Sequence, residues 1–555
     1  MDKTSAIDLS ADRLIAIAAD YIEEHNYIGA LKMLNKNAVL NGNDEDSFML
    51  YAEAFDDMGL YEKCINGWFR YIDYAGENAN LSEAYEGLAV SYMNLGQENF
   101  AAYYYNKLLI ETNTELSPEN RRDIIKSFVK DEKKGLKFAW PPRLADYSEE
   151  IDEGIKCMRS NDYDGAVKHF KSVDKGNDKY YAARNYIVMC DIINDKLDLA
   201  EEECNAILSD RPADVQALTS LAAIRSQQNQ REESVEIAKK LLSLDLTSTE
   251  DIYKTATVCC ENHMHEEAYK LFCILEQKEE LQYDCSLLFF KAIAAYNSGR
   301  TDESLETFDK LLTIYNNAIA ANYWKFEVLY SKKKNKHREL EYFYRLPSED
   351  REMNVAFLSA FNQMTDKQAA KLISDPSTED CIRWCFDEGD ASSSYELHLL
   401  GALSAVKAKL DDMVRDILLD AFLEDGVKME ALSALVQDNT EGDYGVVICN
   451  ILRNIKLIRL EVGKLKRKNF MRAYAYTFSR FAMLSEEYGA KFNSAATKIY
   501  RKLEEENRLD IVKSIPALAA AILIAADVKE SSLDDAMLSS FFGVTRQKVN
   551  AILGE

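Results

Sequence analysis

Small side chains recur along this chain at a fixed interval, and no other feature of the sequence limits its fold so severely. Ala30, Cys64, Ala101, Ala166, Ala200, Ser234, Ala268 and Ser304 follow one another at separations of 34, 37, 65, 34, 34, 34 and 36 residues. Twelve residues before each stands another small or slender side chain: Ala18, Ala52, Ala89, Gly154, Val188, Ala222, Ala256 and Ala292. Turn signals lie between the two positions, at Gly59-Leu60-Tyr61, Gly96, Asn161-Asp162-Tyr163 and Gly299. Four residues after the second small residue comes an apolar one, often bulky, as at Leu34, Trp68, Tyr105, Phe170, Phe272 and Phe308. Two antiparallel helices need small side chains where their axes approach and a large one to fill the next gap. A single hairpin of this kind buries too little surface to persist alone, so its neighbours must stack on it. An ordinary amphipathic bundle would produce one or two such coincidences, not the same offset eight times.

Hairpins of this length with a small residue at both in-phase positions resemble the tetratricopeptide repeat family. The segments YMNLGQENFAAYYYNKLL and KCMRSNDYDGAVKHFKSV carry the likeness best, and Pro212, twelve residues after Ala200, matches the proline that often closes the motif. The resemblance runs over roughly residues 11–345 and implies a right-handed α-solenoid of helix hairpins; with a compact carboxyl-terminal helical domain expected after it, the fold class expected is all-α. Composition agrees: 7 prolines and 21 glycines in 555 residues are too few turn formers for an all-β protein of this size, and 47% hydrophobic with 29% charged residues is a folding composition.

The organisation expected is an amino-terminal repeat block over residues 1–133, an irregular joint over 134–146, and a second block over 147–345. Pro118, Pro141 and Pro142 interrupt helices in the one long interval. Beyond Leu346-Pro347 the 34-residue phase disappears while helical periodicity persists, which predicts degenerate helical hairpins over 346–455. Residues 456–555 are expected to form five helices, the third opening at Ser514 and Pro516. The final pair places Leu538, Phe542, Val544, Val549 and Ile552 where a helix-turn-helix keeps its core, with Gly543 at the turn. The series also resembles a cyclin-like domain through its alanine-rich middle helix.

Charge and chemistry narrow the function. The net charge is −27, and the last hundred residues carry +5 of it against −32 in the rest, so most of the molecule repels phosphate backbones. No phosphate-cradling glycine loop, GxSxG, HExxH or Cys-x-x-Cys occurs, so no enzyme activity and no cofactor are expected. Cys259, Cys260, His263 and His265 are metal-ligand types within seven residues, but the repeat register already asks for packing at Cys259, and no metal is expected. The eleven cysteines form no regular framework and read as reduced thiols, Cys381 and Cys385 included. MDKTSAIDLSADRL lacks a basic-then-apolar leader, and the longest apolar run, Ile515 to Ala526, is too short for a membrane span; a cytoplasmic protein is expected.

The family geometry lines the concave face with the first helix of each repeat. It places Asp46, Met49, Glu53, Asp57, Glu83 and Glu86 in an acidic amino-terminal groove suited to a basic peptide. It places Asn185, Met189, Thr219, Gln227, Tyr253, Thr257, Phe289, Ile293 and Asn297 in an uncharged second groove suited to an extended or helical segment. A lysine-and-asparagine clamp for carboxyl termini is missing from both blocks. The expectation is a non-enzymatic scaffold that captures protein or peptide segments, with no membrane role. The alternative is a regulator that also binds DNA or RNA, reading bases through Arg546, Gln547, Lys548 and Asn550 and touching phosphates through Lys464, Lys466, Arg467, Lys468 and Arg472.

Overall fold

A computed structural model describes residues 9–76, 79–111, 148–390 apart from 174, 176 and 178, then 394–485, 487–528 and 534–554. The chain forms two compact units, one of residues 1–126, 316–319 and 346–555, the other of residues 127–315 and 320–345. The proline-containing joint lies outside the described residues.

Both repeat blocks are helix hairpins. The first unit begins with α1 (Ala11–Glu23), α2 (Tyr27–Asn41), α3 (Glu45–Asp57), α4 (Tyr61–Tyr74), α5 (Ser82–Asn94) and α6 (Glu98–Glu111). The second contains α7 (Ser148–Arg159), α8 (Tyr163–Lys171), α9 (Tyr180–Ile193), α10 (Leu197–Asp210), α11 (Val215–Gln227) and α12 (Arg231–Leu242). It continues through α13 (Thr249–Glu261), α14 (His265–Glu276), α15 (Cys285–Asn297), α16 (Thr301–Ile314) and α17 (Ile319–Lys334). Each hairpin turns on one residue of left-handed backbone: His25, Gly59, Gly96, Asn161, Asp195, Asn229, His263 and Gly299, all with φ between 56° and 86°. Glycine adopts this region freely, and Asn, Asp and His tolerate it better than other side chains, so the turn positions explain their own residue types. Asn26, Asp44, Asp162, Asp214, Ser248 and Asp284 cap the helices that follow them by accepting a backbone N–H.

The recurring small residues sit where the helices touch. Ala18, Ala30, Ala52, Cys64, Ala89, Ala101, Ala166, Val188, Ala200, Ala222, Ser234, Ala256, Ala268, Ala292 and Ser304 are all fully buried. The in-phase pair Ala222 and Ser234 is joined directly, the Ser234 hydroxyl donating to the Ala222 carbonyl at 3.0 Å. At Gly154 a Cβ would stand 2.4 Å from Cε1 of Phe170, so this approach admits no side chain unless the ring moves. Ala222→Leu is expected to cost about 1–3 kcal/mol, because the added carbons have no space between α11 and α12. A urea midpoint within error of the parent protein would contradict it.

The first unit is completed by α18 (Ser348–Gln363), α19 (Asp366–Ala369), α20 (Pro376–Trp384), α21 (Tyr395–Ala408), α22 (Asp411–Leu419) and α23 (Asp425–Gln437), then by two strands. The expectation of helical hairpins up to residue 455 is corrected here. β1 (Gly442–Ile448) and β2 (Ile451–Leu457) pair antiparallel, Gly442 opposite Leu457 and Ile448 opposite Ile451. The physical reason is the density of β-branched residues at Val446, Val447, Ile448, Ile451 and Ile455. The connection is a two-residue turn at Cys449 and Asn450, both with positive φ, the backbone that matches the strands' twist. Buried Lys428 donates to the Val447 carbonyl at 2.7 Å and pairs with Asp425 at 3.2 Å, fixing α23 to β1.

The strands meet the third hairpin of the first block. Tyr104 donates to the Asn450 carbonyl at 2.7 Å and the Tyr92 hydroxyl to its side-chain oxygen at 3.1 Å. Asn66 and Asp73 on α4 hold the α22 end and β1: Asn66 accepts from the Ala421 N–H at 3.0 Å, and Asp73 from the Gly445 N–H at 2.9 Å. Among the described residues the α-helices that follow are α24 (Arg467–Phe481), α25 (Tyr488–Glu505), α26 (Ile515–Ala525), α27 (Asp535–Phe542) and α28 (Arg546–Leu553). Among the described residues no helix is long and apolar enough to cross a membrane.

Candidate functional site

The first helices of the second block meet an extended segment of the same unit. After α17 ends at Lys334, residues 336–345 run without helix. Burial alternates from Leu340 onward: Leu340 and Tyr344 point inward and Tyr342 is half-buried, while Glu341, Phe343 and Arg345 are exposed. Such a period of two belongs to an extended chain laid on a surface.

Main-chain recognition is supplied by Asn297, the last residue of α15. Its amide nitrogen donates to the Leu340 carbonyl at 2.8 Å, and its amide oxygen accepts from the Leu340 N–H at 2.9 Å. One side chain thus satisfies both polar groups of a single peptide residue. Side-chain recognition is aromatic. Tyr344 stacks on Phe289 with centroids 4.4 Å apart and planes 6° from parallel, and its hydroxyl lies 3.3 Å from Cys285 Sγ. His337 lies against Tyr296 at 4.7 Å, and Tyr342 stacks on His265 while its hydroxyl meets His265 Nδ1 at 2.9 Å. Trp324 on α17 closes the end by donating to the Arg345 carbonyl at 2.8 Å.

Beside the segment lies a cavity of about 500 Å³, lined by Thr257, Cys260, Glu261, His263, Phe272, Phe290 and residues 339–343. Desolvation at the cavity wall pushes the Glu261 carboxyl above the ordinary carboxylate range, although the residue as a whole is exposed. Burial also lowers the His265 imidazolium, against the raising effect of Glu339, so the ring is neutral near pH 7. Glu339 feels partial burial, which raises it, but its hydrogen bond to His263 and the neighbouring cationic groups hold its carboxyl below the usual range.

The residues expected to line the second groove fall into two sets. Phe289 and Ile293 are fully buried, and Phe289 and Asn297 are engaged by the segment, so the expectation of an open wall is corrected at these positions. Tyr253 is half-buried against Phe272, and Thr257 is exposed at the cavity. Towards the amino terminus of the block Met189 and Gln227 are exposed, Asn185 donates to Asp214 at 3.3 Å, and the Thr219 hydroxyl bonds back to the Val215 carbonyl at 2.8 Å. In the first block Asp46, Asp57, Glu83 and Glu86 are exposed, and Met49 and Glu53 are half-buried. The Glu53 carboxyl is pushed up by burial and by the charges of Glu83 and Asp57, which brings these three acids into one electrostatic neighbourhood.

Cys259 and Cys260 belong to the hydrophobic core of the second unit with Phe272, and burial pushes the Cys259 thiol up to about 12. At the carboxyl terminus Gly543 makes the left-handed turn between α27 and α28, and Leu538, Phe542, Val544, Val549 and Ile552 are buried. Arg546 pairs with Asp535, Gln547 and Lys548 are exposed, and Asn550 is half-buried. Lys464, Lys468 and Arg472 are exposed, Lys466 and Arg467 half-buried, and none of the five makes an ion pair among the described residues. Sequence reasoning missed Leu340, Tyr342 and Tyr344; the alternation in HRELEYFYR was the available signal.

Paired helices on a 34-residue period, turning on left-handed residues and touching through small side chains, are tetratricopeptide-like hairpins in an all-α fold. No protein-family model matches the chain. Among solved structures it is similar to a tetratricopeptide repeat protein from Parabacteroides merdae, with 16% identity over 50% of this chain and 97% of that one and a TM-score of 0.22. It is similar also to the TPR2AB domain of yeast Sti1, solved as a complex with pHSP90, at 19% identity over 48% of this chain and 98% of that one, TM-score 0.21. Yeast Tom70 matches at 15% identity over 77% of this chain and 96% of that one, TM-score 0.29.

Proposed function

We propose that this chain is a non-enzymatic interaction scaffold whose first-helix faces hold extended protein segments. The observation that supports it is the Asn297 side chain engaging both backbone polar groups of Leu340 while Phe289 stacks on Tyr344. Main-chain hydrogen bonds supply affinity for any extended segment, and pockets for alternate side chains supply selectivity. Residues 336–345 are then the internal occupant of a peptide groove, and a partner would present the same order of aliphatic, aromatic and aromatic residues.

The test uses a labelled peptide of residues 336–345 and the full chain. Disengaging the internal segment with L340D and Y344D should make the peptide bind at least tenfold more tightly than to the parent protein by fluorescence anisotropy. Adding N297A to that variant should reverse the gain. A peptide that ignores the disengaged variant would remove this reading.

For the first block the reading is capture of a basic segment on the acidic face. Charge reversal of Glu53, Glu83 and Glu86 to Lys should abolish binding of a Lys/Arg-rich peptide while leaving helicity unchanged; retained binding would refute it. The basic tract on and before α24, exposed at Lys464, Lys468 and Arg472 and without an ion pair among the described residues, supports a second reading, contact with nucleic-acid phosphates. A gel-shift assay of the full chain in which K464E, K468E and R472E change nothing would end it.

A further inference from the structure

Two histidines and a carboxylate meet where the extended segment crosses the turn between α13 and α14. His263 is the left-handed turn residue of that hairpin and His265 the first residue of α14, so the turn carries both rings to one side. Glu339 arrives from 76 residues further along, on the segment itself. Its Oε1 atom contacts Nδ1 of His263 and lies 3.3 Å from Nε2 of His265. The ligand atoms of the three side chains all fall within 4.8 Å of one another. Tetrahedral zinc with bonds of about 2.0–2.1 Å to nitrogen and oxygen spaces its ligand atoms roughly 3.3 Å apart, so small side-chain rotations bring this set to the required distances.

Two further observations separate the group from an ordinary surface ion pair. Tyr342, also on the segment, holds the other nitrogen of His265: its hydroxyl lies 2.9 Å from Nδ1, and the rings stack at 5.8 Å. In the tautomer that carries its proton on Nδ1, the Tyr342 hydroxyl accepts that N–H and the Nε2 lone pair faces Glu339, the arrangement by which outer partners orient metal-binding imidazoles. The His263 and Glu339 side chains also border the 500 Å³ cavity, so a fourth coordination position has room for water or an added ligand. The geometry points to a binding site for a borderline divalent transition ion of the zinc class, made by His263, His265 and Glu339. Two imidazole nitrogens suit such an ion better than Ca²⁺ or Mg²⁺, which take oxygen ligands. The ligand set differs from the contiguous Cys259, Cys260, His263, His265 group because both thiols are packed in the core.

Such an ion would fasten the segment through Glu339 to the hairpin turn. Metal binding stands independently of the proposed function, while its control over access to the groove rests on that reading.

Titration of the chelator-treated full chain with Zn²⁺ by calorimetry is expected to give one site. A C449S background removes the exposed cysteine as a competing ligand. E339Q should weaken that site at least tenfold, and the double variant H263A/H265A should remove it, with far-UV circular dichroism unchanged. Co²⁺ in place of Zn²⁺ should give ligand-field bands without a thiolate charge-transfer band. Absence of one-to-one binding, affinity unaltered in both variants, or a thiolate band would overturn the site. Hydrogen exchange reads the latch: the Leu340 amide should exchange at least tenfold more slowly with Zn²⁺ than with chelator, and an unchanged rate alongside one-to-one binding would overturn the fastening role alone.

Discussion

Asp73→Ala is expected to lower the unfolding free energy of the first unit by about 3–5 kcal/mol, the usual loss when one partner of a buried ion pair is deleted. The side chain is 5% exposed and joins two parts of the chain more than 300 residues apart. One oxygen accepts the Gly445 N–H at 2.9 Å, and the other pairs with Arg415 at 3.1 Å. Arg415 lies over the Tyr444 ring at 4.4 Å and also donates to the Asp443 carbonyl. Removing the carboxylate leaves the Gly445 strand N–H without its acceptor and takes from Arg415 its buried counter-charge, leaving it only the exposed Asp411 and the Asp443 carbonyl. Asp73→Asn keeps an acceptor for Gly445 and loses the charge, so its cost should be smaller. Urea unfolding followed by circular dichroism measures both; an alanine variant within 1 kcal/mol of the parent would show that water replaces the carboxylate.

Phe289→Ala is expected to cost a similar amount, about 3–5 kcal/mol, through the cavity left by a fully buried ring. Its consequence is different, because this ring is the floor on which Tyr344 stacks and it also meets Phe308 edge-on at 6.1 Å. The variant should therefore release residues 336–345 as well as destabilise the second unit, and tryptic cleavage after Arg338 or Arg345 should accelerate at temperatures well below the unfolding midpoint. Phe289→Leu should keep most of the stability while losing the stack. If cleavage in the leucine variant matched the parent protein, the stack would not be what retains the segment.

Much of the repeat architecture was legible because it is decided locally. Whether a helix at Ala222 can approach a helix at Ser234 depends on the volume of those two side chains, which are twelve positions apart and linked by one turn. Reading failed where the register shifted by one: Tyr105 was expected to fill the gap in the third hairpin, yet Tyr104 is the buried ring and Tyr105 is half-buried. It failed again at Cys449-Asn450, whose positive φ values make a tight hairpin turn from a dipeptide that carries no glycine. The candidate site was half legible. Asn297 and Phe289 were placed on the first-helix face, but nothing in their own neighbourhood of sequence says that another part of the same chain lies on them.

That division has one physical cause. Helix hairpins, their turns and their small-residue contacts arise from interactions within about 34 residues, so periodicity and side-chain volume determined them from the sequence alone. The strap over α15, the pairing of α4 with β1, and the meeting of Glu339 with His263 and His265 are closures over 43, 372 and 76 residues. No local pattern encodes which distant surfaces will be complementary; only the folded chain, which brings Leu340 to Asn297 and Asp73 to Gly445, decided them.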